Sequence, residues 1–298
     1  MTATRTPRPT PRLHILDPGA ASTVQDLGRP GWFHAGVGVS GALDRRAVRL
    51  ANRLVGNRES EAAIECVLGG LSVEFDLPAV VAVTGAPAPL TVGERSEPVG
   101  SVLFVPAGRR IQLGTAATGL RCYLAVRGGI AVDPVLGSRS RDTMAALGPE
   151  PLRRGDILPV GTPPQDWPIV DIAPLAPITA DPVRARVRLG PRADWFTEPG
   201  DLFIGAWRVS SQADRIGVRL DREGGAPPLR RIDDAELPTE GMALGAIQVP
   251  PAGRPVVLLA DRPITGGYPV VGTVIDGDID LLGQARPGQL VEFRPWQP

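Results

Sequence analysis

Between Val256 and Pro269 the chain reads VVLLADRPITGGYP, and here the residue types able to do chemistry crowd most closely. Val256 to Ala260 is an unbroken apolar run, rich in β-branched residues and of the length of a buried strand. Asp261 and Arg262 follow at once, so an acid and a guanidinium sit where that strand ends. The next turn carries Thr265, Gly266, Gly267 and Tyr268, and its two glycines leave backbone N–H groups open to a ligand. Gln248, on the preceding segment, can point at the same place. The plainer alternative is an ion pair capping a strand, followed by an ordinary glycine turn; residue types alone leave both open.

Two other stretches gather polar residues. STVQDLGRPGWFHAGVGVSGALD has glycines at 28, 31, 36, 38 and 41 around Gln25, Asp26, Arg29 and Ser40. That composition predicts a loop held by its own hydrogen bonds, of the kind that carries function on a rigid scaffold, or else a purely structural one. Further on, Ser211, Gln212, Asp214 and Arg215 share a short polar loop.

The elements that must position these residues are mostly strands. Only residues 42–55 take helical spacing, with Leu43, Ala47, Leu50, Ala51, Leu54 and Val55 on one side. Ser40 is the expected N-cap, Asp44 lies in the first turn where the dipole favours a carboxylate, and Gly56-Asn57 ends the helix. Asp44 is therefore accounted for structurally as well as being a candidate site residue. Short strands are expected at residues 13–16, 63–67, 71–75, 80–84, 90–92, 101–105, 111–113, 121–126 and 152–159. More follow from 183 onward, with a last strand over 281–293. Antiparallel barrels or sandwiches fit this spacing. Residues 161–181 are Pro-rich and aperiodic, a linker between a first lobe at 13–160 and a second at 182–298, after a basic, disordered arm at 1–12. SVLFVPAGRRIQL and AIQVPPAGRPVVLL align at an offset of about 145 residues, which suggests duplication and a ligand cleft between the lobes.

Composition excludes more than it proposes. Formal net charge is zero, so nothing marks the chain for nucleic acid or an anionic membrane. All 32 basic residues are arginine; without lysine there is no Schiff base, no P-loop lysine and no attachment point for biotin. Cys66 and Cys122, far apart and in apolar surroundings, read as reduced core thiols, and His14 and His34 lack metal-ligand spacing, so no metal is expected. No apolar run reaches membrane-span length and no signal peptide follows the arm, which makes a soluble, cytoplasmic protein the expectation.

Taken in order, TVQDLGRPG, GVSGALDRRAVRLANRLVGN, YLAVRGGI, SSQADRIGVRL, GAIQVPPAGRPVVLLADRPITGGYP and LLGQARPGQLVEF resemble the biotin-dependent carboxyltransferase-type family. Its members include the C subunit of bacterial ATP-dependent 5-oxoprolinase, formerly allophanate hydrolase subunit 2, and the carboxyltransferase region of urea carboxylase. The resemblance implies a mainly β fold of two tandem cyclophilin-like β-barrel lobes with a few short helices. It also implies two partners, a B subunit (KipI-like, or allophanate hydrolase subunit 1-like) and an A subunit (LamB/YcsF-like), and a small-molecule substrate. The family pattern SGAxD falls on Ser40, Gly41 and Asp44, SQxDRxG on Gln212, Asp214 and Arg215, and the longest segment on Gln248, Asp261, Arg262, Thr265, Gly266, Gly267 and Tyr268. Pro263 and Ile264 stand where polar residues are expected, which leaves the loop rim less polar than the pattern. On this resemblance Asp261, Arg262 and Arg215 are the expected catalytic residues, and Ser40, Asp44, Gln212, Asp214, Gln248, Thr265, Gly266, Gly267 and Tyr268 are expected to bind substrate.

The implied activity is ATP-driven opening of 5-oxoproline (pyroglutamate) to L-glutamate, with ATP shared with a partner. Arg262 or Arg215 would grip a carboxylate or phosphoryl group, the Gly266–Gly267 amides an oxyanion, and Asp261 would orient an arginine or act as base. Two alternatives stand beside it. One is carboxyl transfer to a small amide such as urea from a separate biotin carrier; the other is a non-catalytic regulator that binds a kinase-inhibitor protein.

Overall fold

The computed structural model describes residues 9–168, 170–233 and 235–297; most of the expected arm, residues 1–8, lies outside them. The first lobe holds β1 (Arg12–Pro18), β2 (Ser22–Gln25), β3 (Ala63–Val67), β4 (Leu71–Phe75), β5 (Ala79–Gly85) and β6 (Leu90–Val92). It continues through β7 (Arg95–Glu97), β8 (Val102–Val105), β9 (Ile111–Leu113), β10 (Arg121–Val126) and β11 (Ile157–Pro159), with helix α1 (Arg45–Leu54) between β2 and β3. These strands form two sheets, in the orders β11-β1-β4-β9-β6-β7 and β2-β3-β10-β5-β8. Between them lies one apolar core that includes Leu13, Ile15, Phe75, Val83, Ile111 and Leu124. The other face of the second sheet takes α1. Ala47, Val48 and Ala51 of the helix meet Ala63, Ala82 and Ala125, small residues that let helix and sheet approach closely.

Residues 161–181 form no strand among those described, yet they are tied to the first lobe. Val102 N–H donates to Asp171 O at 2.8 Å and Ala173 N–H to Gly100 O at 2.8 Å, so the segment covers the otherwise open edge at β8.

The second lobe contains β12 (Val183–Leu189), β13 (Trp207–Val209), β14 (Gly217–Arg222), β15 (Glu240–Gly241), β16 (Ala246–Gln248) and β17 (Val256–Leu258). After these come β18 (Thr265–Gly266), β19 (Val270–Val274), helix α2 (Asp276–Gly283) and β20 (Leu290–Pro295). Seven strands close into a barrel in the order β12-β19-β16-β17-β14-β13-β20, with β15 and β18 as a separate small ribbon. The barrel closes through β12 and β20, which run parallel with Val183 opposite Val291. Trp207 and Phe293 fill its core, and Leu43 of the first lobe is packed into the same cluster.

Several expectations are corrected. Asp44, and not Ser40, caps α1: its carboxylate accepts the Ala47 N–H at 2.9 Å, while Ser40 sits at φ 57°, in the left-handed region. Residues 281–293 are not one strand. Leu281 belongs to α2, whose first turn carries Asp276 and Asp278 and whose Ile279 and Leu282 are buried; two glycines at its ends obscure the helical period. β2 forms inside the glycine-rich stretch read as loop, and the strand expected at 152–159 is confined to Ile157–Pro159. Arg12 already begins β1. The two cysteines, far apart in sequence, face each other as free thiols across β3 and β10. The aligned segments of the suggested duplication pair differently: β16 pairs with β17, whereas β8 and β9 lie in separate sheets.

Candidate functional site

The ladder between β14 and β17 sets Gly217 opposite Leu258, and its continuation brings Arg215 beside Asp261, with Asp261 N–H donating to Arg215 O at 3.1 Å. The Arg215 guanidinium grips the carboxylate from two positions, Nε to Oδ2 at 2.9 Å and Nη2 to Oδ1 at 3.1 Å. The first lobe supplies the rest. Ser40 Oγ donates to Asp261 Oδ1 at 2.6 Å, and Thr143 donates N–H and Oγ1–H to Oδ2 at 2.9 and 2.7 Å. Arg215 reaches back across the seam through Nη1 to Glu65 Oε1 at 2.5 Å and through Nη2 to Gly41 O at 2.6 Å.

Every acceptor position of Asp261 is thus used. Burial alone would raise its carboxyl, but the Arg215 guanidinium and the Ser40 and Thr143 hydrogen bonds outweigh burial and hold it below the ordinary range. Glu65 follows the same logic: burial is countered by Arg215, Arg121, the Tyr123 hydroxyl and the Leu43 N–H. Arg215 in turn is pushed further up, because Glu65 and Asp261 together exceed its own desolvation. A saturated, ionised carboxylate is a poor base, so the geometry gives Asp261 and Arg215 the work of tying the lobes and fixing Ser40.

Ser40 owes its position to a loop pinned at its base. Asp26 accepts from Gly28 N–H, Ser138 Oγ, Ser140 Oγ and Arg139 N–H, all between 2.5 and 2.7 Å. Only glycine fits at 28, where a Cβ would stand 2.4 Å from Val39 O.

Next to Ser40 opens a cavity of about 190 Å³ lined by Ser40, Leu43, Arg45, Arg49, Leu244 and Arg262, among others. Arg262 donates Nε–H to Met242 O at 3.0 Å, and no carboxylate lies within ion-pair distance of its guanidinium among the described residues. Burial lowers its pKa, the signature of a cation short of a partner. Arg45 is neutralised by Asp276 and Asp280, and Arg49 reaches Glu59 only at 3.6 Å. Among the described residues no acidic side chain lines the cavity, so its net character is cationic and suits a carboxylate or a phosphoryl group.

The remaining sequence candidates are dispersed. Gln248 Nε2 donates to Tyr268 O at 3.3 Å and lies against Gly266, while Thr265 and Gly266 pair with β15, so part of the expected open turn is a ribbon. Thr265, Gly267 and Tyr268 are exposed, as are Gln212 and Asp214; Asp214 serves its own turn by accepting from Ile216 and Gly217 N–H. Asp44 is buried and lines not the Arg262 cavity but a second, larger one. Sequence reasoning missed Glu65, Thr143, Arg45 and Arg49. Glu65 alone left a mark, a single charge within the apolar strand AIECV.

Residues 35–295 match the family model described as carboxyltransferase domain, subdomain A and B. The C subunit of 5-oxoprolinase of Escherichia coli is 37% identical over 293 residues, covering 94% of this chain and 90% of that one. Among solved structures, TTHA0988 superposes with a TM-score of 0.86 at 35% identity over 97% of this chain, which spans 56% of its length. The urea amidolyase of K. lactis superposes with a TM-score of 0.88 at 29% identity over 99% of this chain, here only 19% of the larger protein.

Proposed function

The chain belongs to the carboxyltransferase domain, subdomain A and B, family, and from that premise we propose that it is the C subunit of an ATP-dependent 5-oxoprolinase. The observation that carries this reading is the likeness to the Escherichia coli protein, which spans nearly the whole of both chains and not a shared fragment. With the A and B subunits, it would open 5-oxoproline to L-glutamate.

The chemistry fits the cationic cavity. 5-Oxoproline is a small lactam bearing one carboxylate, and its ring amide is resonance-stabilised. The amide oxygen must therefore be activated, by accepting a phosphoryl group from ATP with release of ADP, before water attacks the carbonyl carbon. The ring C–N bond then breaks as the nitrogen takes a proton, and a second water hydrolyses the resulting acyl phosphate to the carboxylate and inorganic phosphate. In this reading Arg262 holds the substrate carboxylate, Arg49 adds positive potential, and Ser40 offers its hydroxyl oxygen as a hydrogen-bond acceptor. Asp261 and Arg215 act through Ser40 and the seam as positioning residues. The chain has no lysine and so no P-loop lysine, and ATP would be held together with a partner protein.

The likeness to urea amidolyase supports a second reading, carboxyl transfer to urea from a carrier protein that bears the biotin, since this chain has no lysine to carry it. An omission experiment separates the two. The A and B subunits should release glutamate from 5-oxoproline and ATP only when this chain is added, and urea with a biotinylated carrier should give no carboxylated product. The reverse pattern would replace the first reading by the second.

A further inference from the structure

The larger cavity, about 370 Å³, lies between α1, α2 and the end of the linker. Its apolar wall is formed by Leu50, Leu175, Ile178, Val183 and Leu281; Arg46 and Arg184 also line it, paired with Asp280 and Glu292. On its lining sit Asp44 and Gln284, 7% and 5% exposed. Capping α1 occupies only Oδ1 of Asp44; Oδ2 accepts a single hydrogen bond, from Gln284 Nε2 at 2.8 Å. A carboxylate offers about four acceptor positions, so both oxygens retain capacity.

No arginine stands within ion-pair distance of Asp44 among the described residues. The charged groups around it are otherwise engaged. From α2, Asp280 is negative and takes Arg45 and Arg46; from β3, Glu65 is negative and takes Arg121 and Arg215; from β10, the Tyr123 hydroxyl donates to Glu65. At the rim Arg184 reaches Glu292 at 3.4 Å, and Asp181 keeps the lining acidic. An apolar cleft over a buried carboxylate that lacks a counter-ion is the inverse of the Arg262 cavity, and it repels the anionic lactam.

We propose that this cleft is a second ligand site, for a small organic cation: a primary ammonium or amidinium head on Asp44, with a compact apolar body between Leu50, Leu175 and Leu281. Most of the surface of such a ligand is removed from water against apolar walls, and one convergent polar group fixes its head. Burial, helped by Asp280 and Glu65, raises the Asp44 carboxyl to about 6 against the pull of the Gln284 and Ala47 hydrogen bonds. At neutral pH the group is ionised and gains a partner when the cation binds. Below about 6 binding must first expel a proton, so affinity falls with pH.

Benzylammonium, benzyl alcohol and benzoate share one apolar body and differ in charge, which makes them suitable probes for the whole chain in isothermal titration calorimetry. At pH 7.5 benzylammonium should bind at least tenfold tighter than benzyl alcohol, and benzoate should not bind. The benzylammonium affinity should fall severalfold at pH 5. Asp44→Ser, which keeps a good N-cap without the charge, should abolish the preference for the cation. Leu50→Trp, which fills the cleft and leaves Asp44 in place, should abolish binding, and Arg262→Ala should leave it unchanged. Equal affinity for the three probes overturns the proposal, as does cation binding that survives Leu50→Trp or is lost in Arg262→Ala. If Asp44→Ser does not fold, Leu50→Trp and the three probes still decide.

Discussion

Arg215 carries two carboxylates at once, Asp261 from its own lobe and Glu65 from the other, with its side chain only 11% exposed. Removing one partner from such a cluster leaves a buried charge uncompensated, at about 3–5 kcal/mol. Asp261→Asn should therefore lower unfolding free energy by that order in urea denaturation, while Arg262→Ala, half-buried and without a carboxylate partner, should change it little. The acidic groups also predict opposed pH limbs. Asp261 and Glu65 have folded pKa values below their ordinary 3.8 and 4.5, so their contribution is complete above those values and is lost as pH falls through the folded ones. Asp44 runs the other way. Its folded value, about 6, lies above 3.8, so between these two pH values the unfolded chain loses its proton first and stability declines as pH rises. At about 1.4 kcal/mol for each pH unit separating the two states, the decline is on the order of 2–3 kcal/mol. Asp44→Ser should remove it, gaining on wild type by that amount between pH 4 and pH 7 in denaturant titrations at each pH. Asp261, Arg215 and Ser40 were legible in the sequence because charged or polar residues at strand ends and in glycine-rich loops stand out. Glu65 and Thr143 were not, because what they touch is 22 or more residues away in the chain.

At the scale of elements, strands followed from short β-branched runs between Pro and Gly, and most fell within a residue or two of their expected bounds. The helices were harder. α1 was legible through its apolar stripe, but its cap was not: Ser and Asp are both good caps, and only the left-handed backbone at Ser40 decides between them. α2 escaped because GDIDLLG mixes acid, apolar and glycine residues without a clear period. Its glycines now have distinct roles. A Cβ on Gly283 would stand 2.4 Å from Leu43 O, in the seam where α2 meets the first lobe, whereas a Cβ on Gly277 would meet nothing nearer than Arg46 Nη2 at 3.5 Å. Gly283→Ala should cost about 1–3 kcal/mol through overpacking, and Gly277→Ala should gain up to about 1 kcal/mol in helix propensity. Melting temperatures of the two variants should move in opposite directions.

Over the whole molecule, two β lobes are joined by a buried charged seam, by Leu43 inserted into the second core, and by Gln284, whose amide oxygen accepts the Leu120 and Arg121 N–H groups. Such a seam predicts one cooperative unfolding transition for the chain, and two for Arg215→Ala, in which Asp261 loses its cation and Glu65 keeps only Arg121 of its own lobe; differential scanning calorimetry reads the difference. The seam also shapes the cationic cavity, since Ser40 and Arg49 come from one lobe and Arg262 from the other. The mainly β architecture was legible in composition; the contacts across the seam, between residues as much as 240 apart, were not. The most direct test of the functional account is 5-oxoproline-dependent ADP release by this chain assembled with the A and B subunits, compared with Arg262→Ala in the same complex. Losing a charged hydrogen-bond partner worth about 1.5–3 kcal/mol should raise KM for 5-oxoproline about 10- to 100-fold with assembly intact. A complex that assembles but consumes no ATP with 5-oxoproline, or one whose KM ignores Arg262, would contradict it.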